Sequence, residues 1–228
     1  MVAFRRRASE RPAMHLSLKT IAIALVFCAS CASTSELAPA PTPATQEPAE
    51  EPDLAPEVVS AIDAGKAGPE HELLAKLAGE WTVQMKMWMA PDAPPLTPTA
   101  TATNEMVLGG RFLQTHSSGE MKFGGTSLPV ESIGMMGFDR RGGVYTSVGF
   151  DTMGTYYVTS AGPRDPETGV ITMSGSDHDK RTGVTQTYKF VMRIIDDDHY
   201  VIDLYFTNFE MTHGQDEFHL VEMSYTRN

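Results

Sequence analysis

The feature that most constrains the fold of this chain is an alternation of apolar and polar side chains that begins at Trp81. Apolar residues hold every second position over residues 81–89, and the same period recurs over residues 186–194, 200–206 and 219–225. Because successive side chains of a β-strand point to opposite faces, this period predicts strands that each bury one face.

Turn sequences rich in Gly and Asp separate these segments, at residues 109–110, 139–143, 165–169, 179–183 and 196–198. Such residues favour tight turns, so the chain predicts about nine or ten antiparallel strands joined by hairpins. Only one short helix is expected, over residues 71–78, with Gly79 ending it. Since one helix cannot cover a sheet of this size, the strands must pair as a sandwich or close on themselves. We favour an all-β fold, a closed antiparallel β-barrel.

Residues 1–30 have the composition of a secretory signal peptide. Basic residues precede an uncharged apolar stretch over residues 21–27, and small residues follow it. This stretch is well short of the roughly 20 residues that a membrane-spanning helix needs. We therefore expect the protein to be secreted across the inner membrane. Whether translation starts at Met1 or Met14 stays open.

Cys31 is the predicted site of lipid attachment. The sequence Ala29-Ser30-Cys31 resembles the end of a bacterial lipobox, in which small residues precede the modified cysteine. Cys28 stands where that motif usually has Leu, and ordinary cleavage near Ala32 with a soluble product is the alternative. Lipidation would make the protein a periplasmic or outer-membrane lipoprotein, held on the membrane by the buried CH₂ groups of its acyl chains.

Residues 31–68 are predicted to be a disordered tether, and residues 69–228 to be the β-barrel domain. Prolines recur along the tether among many Ala and Glu, at Pro39, Pro41, Pro43, Pro48, Pro52 and Pro56. Proline removes backbone donors and like charges repel, so this composition favours an extended, solvated chain. The apolar residues within 58–62 are too few to nucleate a stable helix.

Charge and cysteine content exclude several classes of function. The chain has 18 Lys and Arg against 29 Asp and Glu, a formal net charge of −11, which argues against nucleic-acid binding because that requires clustered cations. Both cysteines lie at the end of the leader, so the domain has no disulfide and no cysteine-based metal site. We expect no metal and no cofactor, and the sequence leaves open whether the protein is an enzyme, leaning to no.

Two incomplete metal patterns support that expectation. His71-Glu72 begins a zinc-protease motif, but Ala75 stands in place of its second histidine. His213 and His219 could be combined with Asp216 as ligands, although a turn beside Gly214 is the commoner setting for such histidines. No nucleophile elbow occurs in the sequence, and we assign no catalytic residue.

Binding of a small, mostly apolar molecule is the function that the domain favours. Methionine is flexible and polarisable, so a methionine-rich strand face suits a wall that adapts to an apolar ligand. Barrels of about eight to ten strands either fill with side chains or retain one small cavity. Tyrosine and arginine side chains would supply the polar anchors. The candidate ligand-binding residues are Trp81, Met85, Met87, Arg111, Tyr156, Tyr188 and Arg193.

An ordered set of motifs over about residues 70–228 resembles the uncharacterised bacterial family catalogued as domain of unknown function 1579. They are His71-x-x-Leu74-x-x-Leu77-x-Gly79-x-Trp81, Gly109-Gly110-Arg111-Phe112-Leu113, Gly137-Phe138-Asp139, Asp179-x-x-Thr182-Gly183 and Tyr225-Thr226-Arg227. This family is similar to lipocalin-type (calycin) barrels. The resemblance implies that Trp81 closes one barrel end and that Arg227 packs over it. It transfers no activity, because none is assigned to the family. The sequence departs from the family pattern at Phe150, where many relatives carry Trp before the acidic residue at Asp151.

The sequence thus leads to the hypothesis of a lipid-anchored, non-catalytic cell-envelope protein that binds a small apolar molecule in its barrel. Its expected partners are the membrane, through the anchor, and that molecule; no protein partner is identified. A structural or interaction module with a filled barrel is the first alternative. The second is a barrel enzyme or haem-binding protein with a histidine such as His219 inside.

Overall fold

A computed structural model describes residues 55–208, 212 and 214–228. This part of the chain forms two helices, α1 (Pro56–Ala64) and α2 (Pro69–Ala75), followed by ten strands. The strands are β1 (Gly79–Met87), β2 (Thr99–Val107), β3 (Phe112–Phe123), β4 (Thr126–Asp139), β5 (Val144–Asp151), β6 (Val158–Gly162), β7 (Ile171–Asp179), β8 (Val184–Ile194), β9 (His199–Phe206) and β10 (Phe218–Arg227). The predicted signal peptide, Cys31, the tether up to residue 54 and His213 lie outside the described residues.

The ten strands form one closed barrel in which every strand pairs antiparallel with its neighbours in sequence. Closure occurs where β1 pairs with both β2 and β10, so that Trp81 lies opposite Ala102 on one side and Arg227 on the other. The predicted closed antiparallel barrel is confirmed, with ten strands. A closed sheet has no free edge, so every strand has hydrogen-bonding partners on both sides.

Three of the hairpins share one five-residue turn of the form Asp-x-x-x-Gly. In the first, the N–H of Gly143 donates to the carbonyl of Asp139 at 2.7 Å, and the Asp139 carboxylate accepts from the N–H of Arg141 at 3.0 Å. Gly143 has a φ of +67°, a left-handed conformation that glycine adopts without strain. The turns at residues 165–169 and 179–183 repeat this arrangement.

Trp81 fills the barrel end beside α2, and its side chain is completely buried. Its indole N–H donates to the carbonyl of Leu77 at 3.0 Å, and its ring meets the edge of Tyr200 at 4.8 Å. The guanidinium of Arg227 packs over the Trp81 ring, 4.2 Å from the ring centroid. Leu74 of α2 completes this packing, also with no exposure. The closing role that the resemblance implies for Trp81 and Arg227 is thus confirmed.

Gly79 has a different role from the one predicted. The helix α2 ends at Ala75 rather than at residue 78, and Gly79 opens β1 with a φ of +133°. A Cβ atom at this position would lie 2.6 Å from Nη1 of Arg227. Glycine is needed here because the arginine passes directly over the backbone, in addition to the unusual φ.

The end of the predicted tether is helical, so the prediction of an extended chain is wrong for residues 56–64. Pro56 occupies the first turn of α1, where proline is favoured, but α1 buries none of its residues. Side chains from the barrel instead hold the end of the helix. Arg140 Nη1 donates to the carbonyl of Asp63 at 2.6 Å, and Arg111 Nε donates to that of Gly65 at 2.6 Å. Such long-range contacts leave no trace in local composition.

Replacing Trp81 by alanine should destabilise the barrel far more than the same change at Trp88. Trp81→Ala removes a fully buried indole and leaves Leu77 without one of its donors, which is expected to cost about 3–5 kcal/mol of unfolding free energy. Trp88 lies partly exposed after β1, with its ring 4.6 Å from His219, so Trp88→Ala should cost about 1 kcal/mol. Urea unfolding followed by circular dichroism measures both values, and equal losses would contradict the assignment of Trp81 as the closing residue.

Candidate ligand-binding site

The barrel has two chemically different ends. We call the end covered by α2 the closed end; it also holds the turns that follow β2, β4, β6 and β8. The opposite end, with the connections that follow β1, β3, β5, β7 and β9, is the far end. Near the closed end the interior is filled by a cluster of buried side chains that includes Leu77, Trp81, Tyr145, Ile171 and Met192. Any ligand inside the barrel must therefore occupy the half nearer the far end.

A cavity of about 100 Å³ lies in this half of the interior. Its apolar lining consists of Val83, Met85, Ala100, Met121, Val130, Met223 and Tyr225. Ser117 and Ser132 also face it, and their hydroxyl oxygens lie 3.1 Å apart across β3 and β4. Because these hydroxyls hydrogen-bond each other, the lining is mostly apolar and adaptable around the methionines. Ser118 and Glu120 are its other polar residues.

The wall of the interior from β4 to β6 is built from very small residues. Gly134 of β4 lies directly opposite Gly149 of β5, and the hydroxyls of Ser147 and Ser160 lie 2.8 Å apart across β5 and β6. A Cβ atom built on Gly149 would have no other atom within 4 Å. Strand alternation from buried Tyr145 places Gly149 on the inward face. The missing side chains leave open space on this side of the barrel.

Acidic and phenolic groups lie where this wall meets the far end. Asp151 lies opposite Ser132, and burial raises the pKa of its carboxyl although the N–H of Met153 donates to it at 2.8 Å. Burial also raises the pKa of Tyr156, and the negative charges of Asp151 and Asp177 add to that effect. This rim favours neutral or cationic groups over anions.

The structure brings four of the seven predicted binding residues to this half of the barrel. Met85 lines the cavity, and Met87 follows on the same inward face, opposite Val221. Tyr188 is buried and donates its hydroxyl hydrogen to the carbonyl of Thr159 at 3.1 Å. Tyr156 lies in the connection between β5 and β6 rather than on a strand. It is close enough to Tyr188 for that residue to raise its pKa.

The other three predicted residues lie elsewhere and do not line the interior cavity. Trp81 has no exposed surface, because α2, Tyr200 and Arg227 enclose it at the closed end. Arg111 follows the turn after β2 at the closed end and is bonded to Gly65. Arg193 alternates with the inward Met192 and therefore faces outward. Long basic side chains in a strand pattern do not distinguish an anchor inside a barrel from an ion pair outside it.

Arg193 belongs to a polar cluster on the outer wall. Its Nη2 lies 2.6 Å from Asp203 Oδ2, and His219 Nε2 lies 2.9 Å from Asp203 Oδ1. The carboxylate is only 3% exposed because the His219 ring, stacked 4.6 Å from Tyr205, covers it. Both distances fall within the range of ion pairs. Within the described chain, however, Asp203 Oδ2 and His219 Nε2 have no partner in hydrogen-bonding geometry. His219 therefore packs on the exterior rather than facing the cavity.

The residues that make room in the barrel are not among those predicted from the sequence. Ser117, Ser132, Gly134 and Gly149 interrupt the apolar alternation of β3 to β5 that marks strands in a sequence. Small residues on the inward face of successive neighbouring strands are the available signal for a hollow barrel. This signal can be recognised only when the strand register, which places Gly134 beside Gly149, is known.

The described part of the chain offers no arrangement of side chains that would support metal binding. No group of three or more His, Cys, Asp or Glu side chains there is placed to hold a metal ion. His213, one member of the ligand set considered from the sequence, lies outside that part.

Both helices in the described part of the chain fall short of the length and apolar character that a membrane-spanning helix requires.

A ten-stranded up-and-down barrel, closed by a tryptophan under an arginine of the last strand, with a small internal cavity, is a lipocalin-like β-barrel. Residues 66–227 match the family described as "Protein of unknown function (DUF1579)". The chain belongs to this family, as the ordered motifs predict.

Comparison with solved structures returns matches at low sequence identity. The S-type phycobiliprotein lyase from Guillardia theta is 9% identical in sequence, with a TM-score of 0.43. The match covers 73% of this chain and 96% of that chain. No match was found among the curated proteins.

Asp151→Asn should stabilise the protein at neutral pH. Since the pKa of Asp151 is raised in the folded state, its ionisation opposes folding: the stability it contributes is present below its unfolded pKa, near 3.8, and is lost as the pH rises through the folded pKa. Asparagine keeps an oxygen acceptor for the Met153 N–H. Thermal unfolding at pH 7 and pH 4 should show a higher midpoint for the variant at pH 7 and a smaller difference at pH 4.

Asp165→Asn is the matched control for this measurement. Hydrogen bonds from Thr168 lower the pKa of Asp165 in an exposed turn, so its ionised form stabilises the fold. That contribution is present above the unfolded pKa and lost as the pH falls through the folded one. The control should therefore be less stable than the wild type at pH 7. The same sign for both variants would contradict the burial of Asp151.

Proposed function

We propose that this protein is a non-catalytic binding protein of the cell envelope, lipid-anchored at Cys31, whose barrel holds the apolar part of a small ligand. The observation that carries the binding proposal is the interior cavity lined by Val83, Met85, Met121 and Met223 beside the hydrogen-bonded Ser117–Ser132 pair. An apolar interior space that side chains do not fill costs packing energy, so a ligand that fills it gains that energy on binding.

The size of the cavity limits what it encloses. Its volume of about 100 Å³ is smaller than the roughly 150 Å³ of an engineered protein cavity that binds benzene. The enclosed group is thus the size of a single small ring or a short alkyl chain. Flexible methionines such as Met85 and Met223 permit modest expansion, and the open space beside Gly149 gives a larger ligand room to extend.

The rim of the site selects against negative charge. Asp151 and Asp177 lie near Tyr156 at the far end of the barrel, and a carboxylate or phosphate placed there would be repelled. A neutral ligand, or one with a cationic group directed to the rim, fits both the apolar cavity and its acidic border.

A second candidate function is that of an interaction module acting through the outside of the barrel. The observation that favours it is a group of exposed apolar side chains on β4, β5 and the following connection. Ile133 lies opposite Phe150, which is 40% exposed, and Tyr157 beside Phe150 is 60% exposed. Apolar side chains grouped on a protein surface are typical of contact with another molecule.

Filling the cavity should abolish binding of small aromatic compounds. Val130 lines the cavity, whereas Ile133 on the same strand faces outward, so Val130→Phe and Ile133→Phe add similar bulk on opposite sides of the wall. With benzene and toluene as probes, the thermal shift of the wild type should persist in Ile133→Phe. In Val130→Phe the affinity should fall at least about tenfold, equivalent to about 1.4 kcal/mol.

Two results would reject the cavity as the site. One is the absence of any thermal shift in the wild type, together with an empty organic extract of the purified protein in mass spectrometry. The other is equal binding by both phenylalanine variants. A loss of binding in Ile133→Phe alone would favour the exterior of the barrel, and hence the interaction module.

The membrane anchor is tested by a pair of cysteine variants. The basic leader and the small residues before Cys31 support lipidation at that position, and Cys28 stands three residues earlier in the same segment. Cys31→Ala should abolish incorporation of labelled fatty acid and release the protein from membranes in high salt without detergent, because acyl burial is then lost. Cys28→Ala should keep both properties. Label in Cys31→Ala, or release of the wild type by salt alone, would exclude this anchor.

A further inference from the structure

A second concave site lies outside the barrel, at the closed end. It is a cleft of about 530 Å³ between the C-terminal end of α1 and the turns after β2 and β4. Its volume falls within the roughly 300–1,000 Å³ typical of small-molecule sites and is larger than that of the interior cavity. The cleft is independent of the proposed ligand cavity, since the filled core around Trp81 separates the two.

Cationic side chains converge on this cleft in a chain whose net charge is −11. Lys66, Arg111, Arg140 and Arg141 all line it, and Asp139 is the one carboxylate among the lining residues described. Asp139 is already paired with Arg141 at 3.2 Å, and Lys66 with Asp63 at 2.6 Å. This leaves Arg111 and Arg140, neither of which forms an ion pair with a carboxylate within the described chain. Arg140 also lies close enough to Asp63 for its charge to contribute to the lowered pKa of that carboxyl.

Main-chain carbonyls hold Arg111 and Arg140 in place. Arg140 uses Nη1 for the carbonyls of Asp63 and Lys66, and Arg111 uses Nε and Nη1 for carbonyls at Gly65 and in the turn after β2. In the part of the chain that the structure covers, the Nη2 group of each arginine has no hydrogen bond. A guanidinium held along one edge offers its remaining N–H groups to an acceptor with little further loss of side-chain entropy.

Apolar surface completes the cleft. Phe112 and Phe138 contribute aromatic rings on the barrel side, and Ala61 and Ala64 face them from α1. A ligand that satisfies both surfaces carries a compact negative charge on a partly apolar body. Two unpaired guanidinium groups match the charge of a phosphate monoester, about −1.5 to −2 at pH 7, better than that of a single carboxylate.

We propose that the cleft between α1 and the closed end of the barrel binds a phosphate ester with an apolar body, through Arg111 and Arg140. The ligand chemistry is shared by soluble phosphate esters and by anionic phospholipid headgroups. Because the arginines also hold the end of α1, occupation of the cleft and docking of this helix depend on the same two side chains.

The test uses the purified full chain with phenyl phosphate, inorganic phosphate and vesicles of phosphatidylglycerol or phosphatidylcholine as probes. Phenyl phosphate should bind more tightly than inorganic phosphate, measured by calorimetry, because the aromatic rings add contact. Arg111→Gln and Arg140→Gln should each weaken binding at least about tenfold. Arg164→Gln is the matched control: its guanidinium donates to the carbonyl of Gly169 in another turn at the closed end, and it should bind like the wild type.

The arms separate the two ligand sources and leave the proposal open to rejection. Binding of phenyl phosphate that requires both arginines supports a soluble ester. Binding of phosphatidylglycerol vesicles alone, lost in the same variants, supports a headgroup. No binding of either, or binding that persists in both glutamine variants, overturns the proposal. Arg140→Lys, which keeps the charge but loses the guanidinium fork, should bind with intermediate affinity, and far-ultraviolet circular dichroism of each variant reports whether the fold is intact. The acidic rim of the interior cavity repels the phosphate group of these probes, so Val130→Phe should not alter the result.

Discussion

The contacts around the carbonyl of Leu77 hold the closed end of this barrel together. That oxygen accepts from the indole of Trp81 at 3.0 Å and from the amide of Asn104 at 2.9 Å, so it joins the segment after α2 to β1 and β2. Arg227 of the last strand covers Trp81 and donates to the carbonyls of Lys76 and Ala78. First strand, second strand and last strand therefore meet at one buried point, which fixes where the sheet closes.

This concentration of large side chains at one end determines what the other half can do. Tyr200 and Tyr225 stack at 4.1 Å beside Trp81, and Tyr225 lies where this filled end meets the cavity. Further along the axis, Gly134 and Gly149 replace bulky inward residues on adjacent strands. The closed end supplies a rigid, well-packed base, and the small residues permit a cavity without opening the sheet.

Much of the fold follows from local sequence rules, and most of the site does not. The period of two, the Asp-x-x-x-Gly turns and the Trp81 motif were sufficient for a closed antiparallel barrel, because strand alternation and turn conformation are set by neighbouring residues. The ion pair between Arg193 and Asp203 and the contacts of Arg140 that hold the helical end of the tether are not local. Those interactions join residues far apart in sequence, and composition carries no information about them.

The two ends differ in charge, and this difference keeps their chemistry separate. At the far end, Asp151 lies with Tyr156 in surroundings that already raise the pKa of both groups, so an anion there would meet further repulsion. At the closed end, Arg111 and Arg140 offer N–H groups to an anion beside aromatic rings. A neutral apolar compound has no charge to place between the arginines, and a phosphate has no favourable position at the acidic rim. Because the filled core lies between the sites, substitutions at one should act independently of the other.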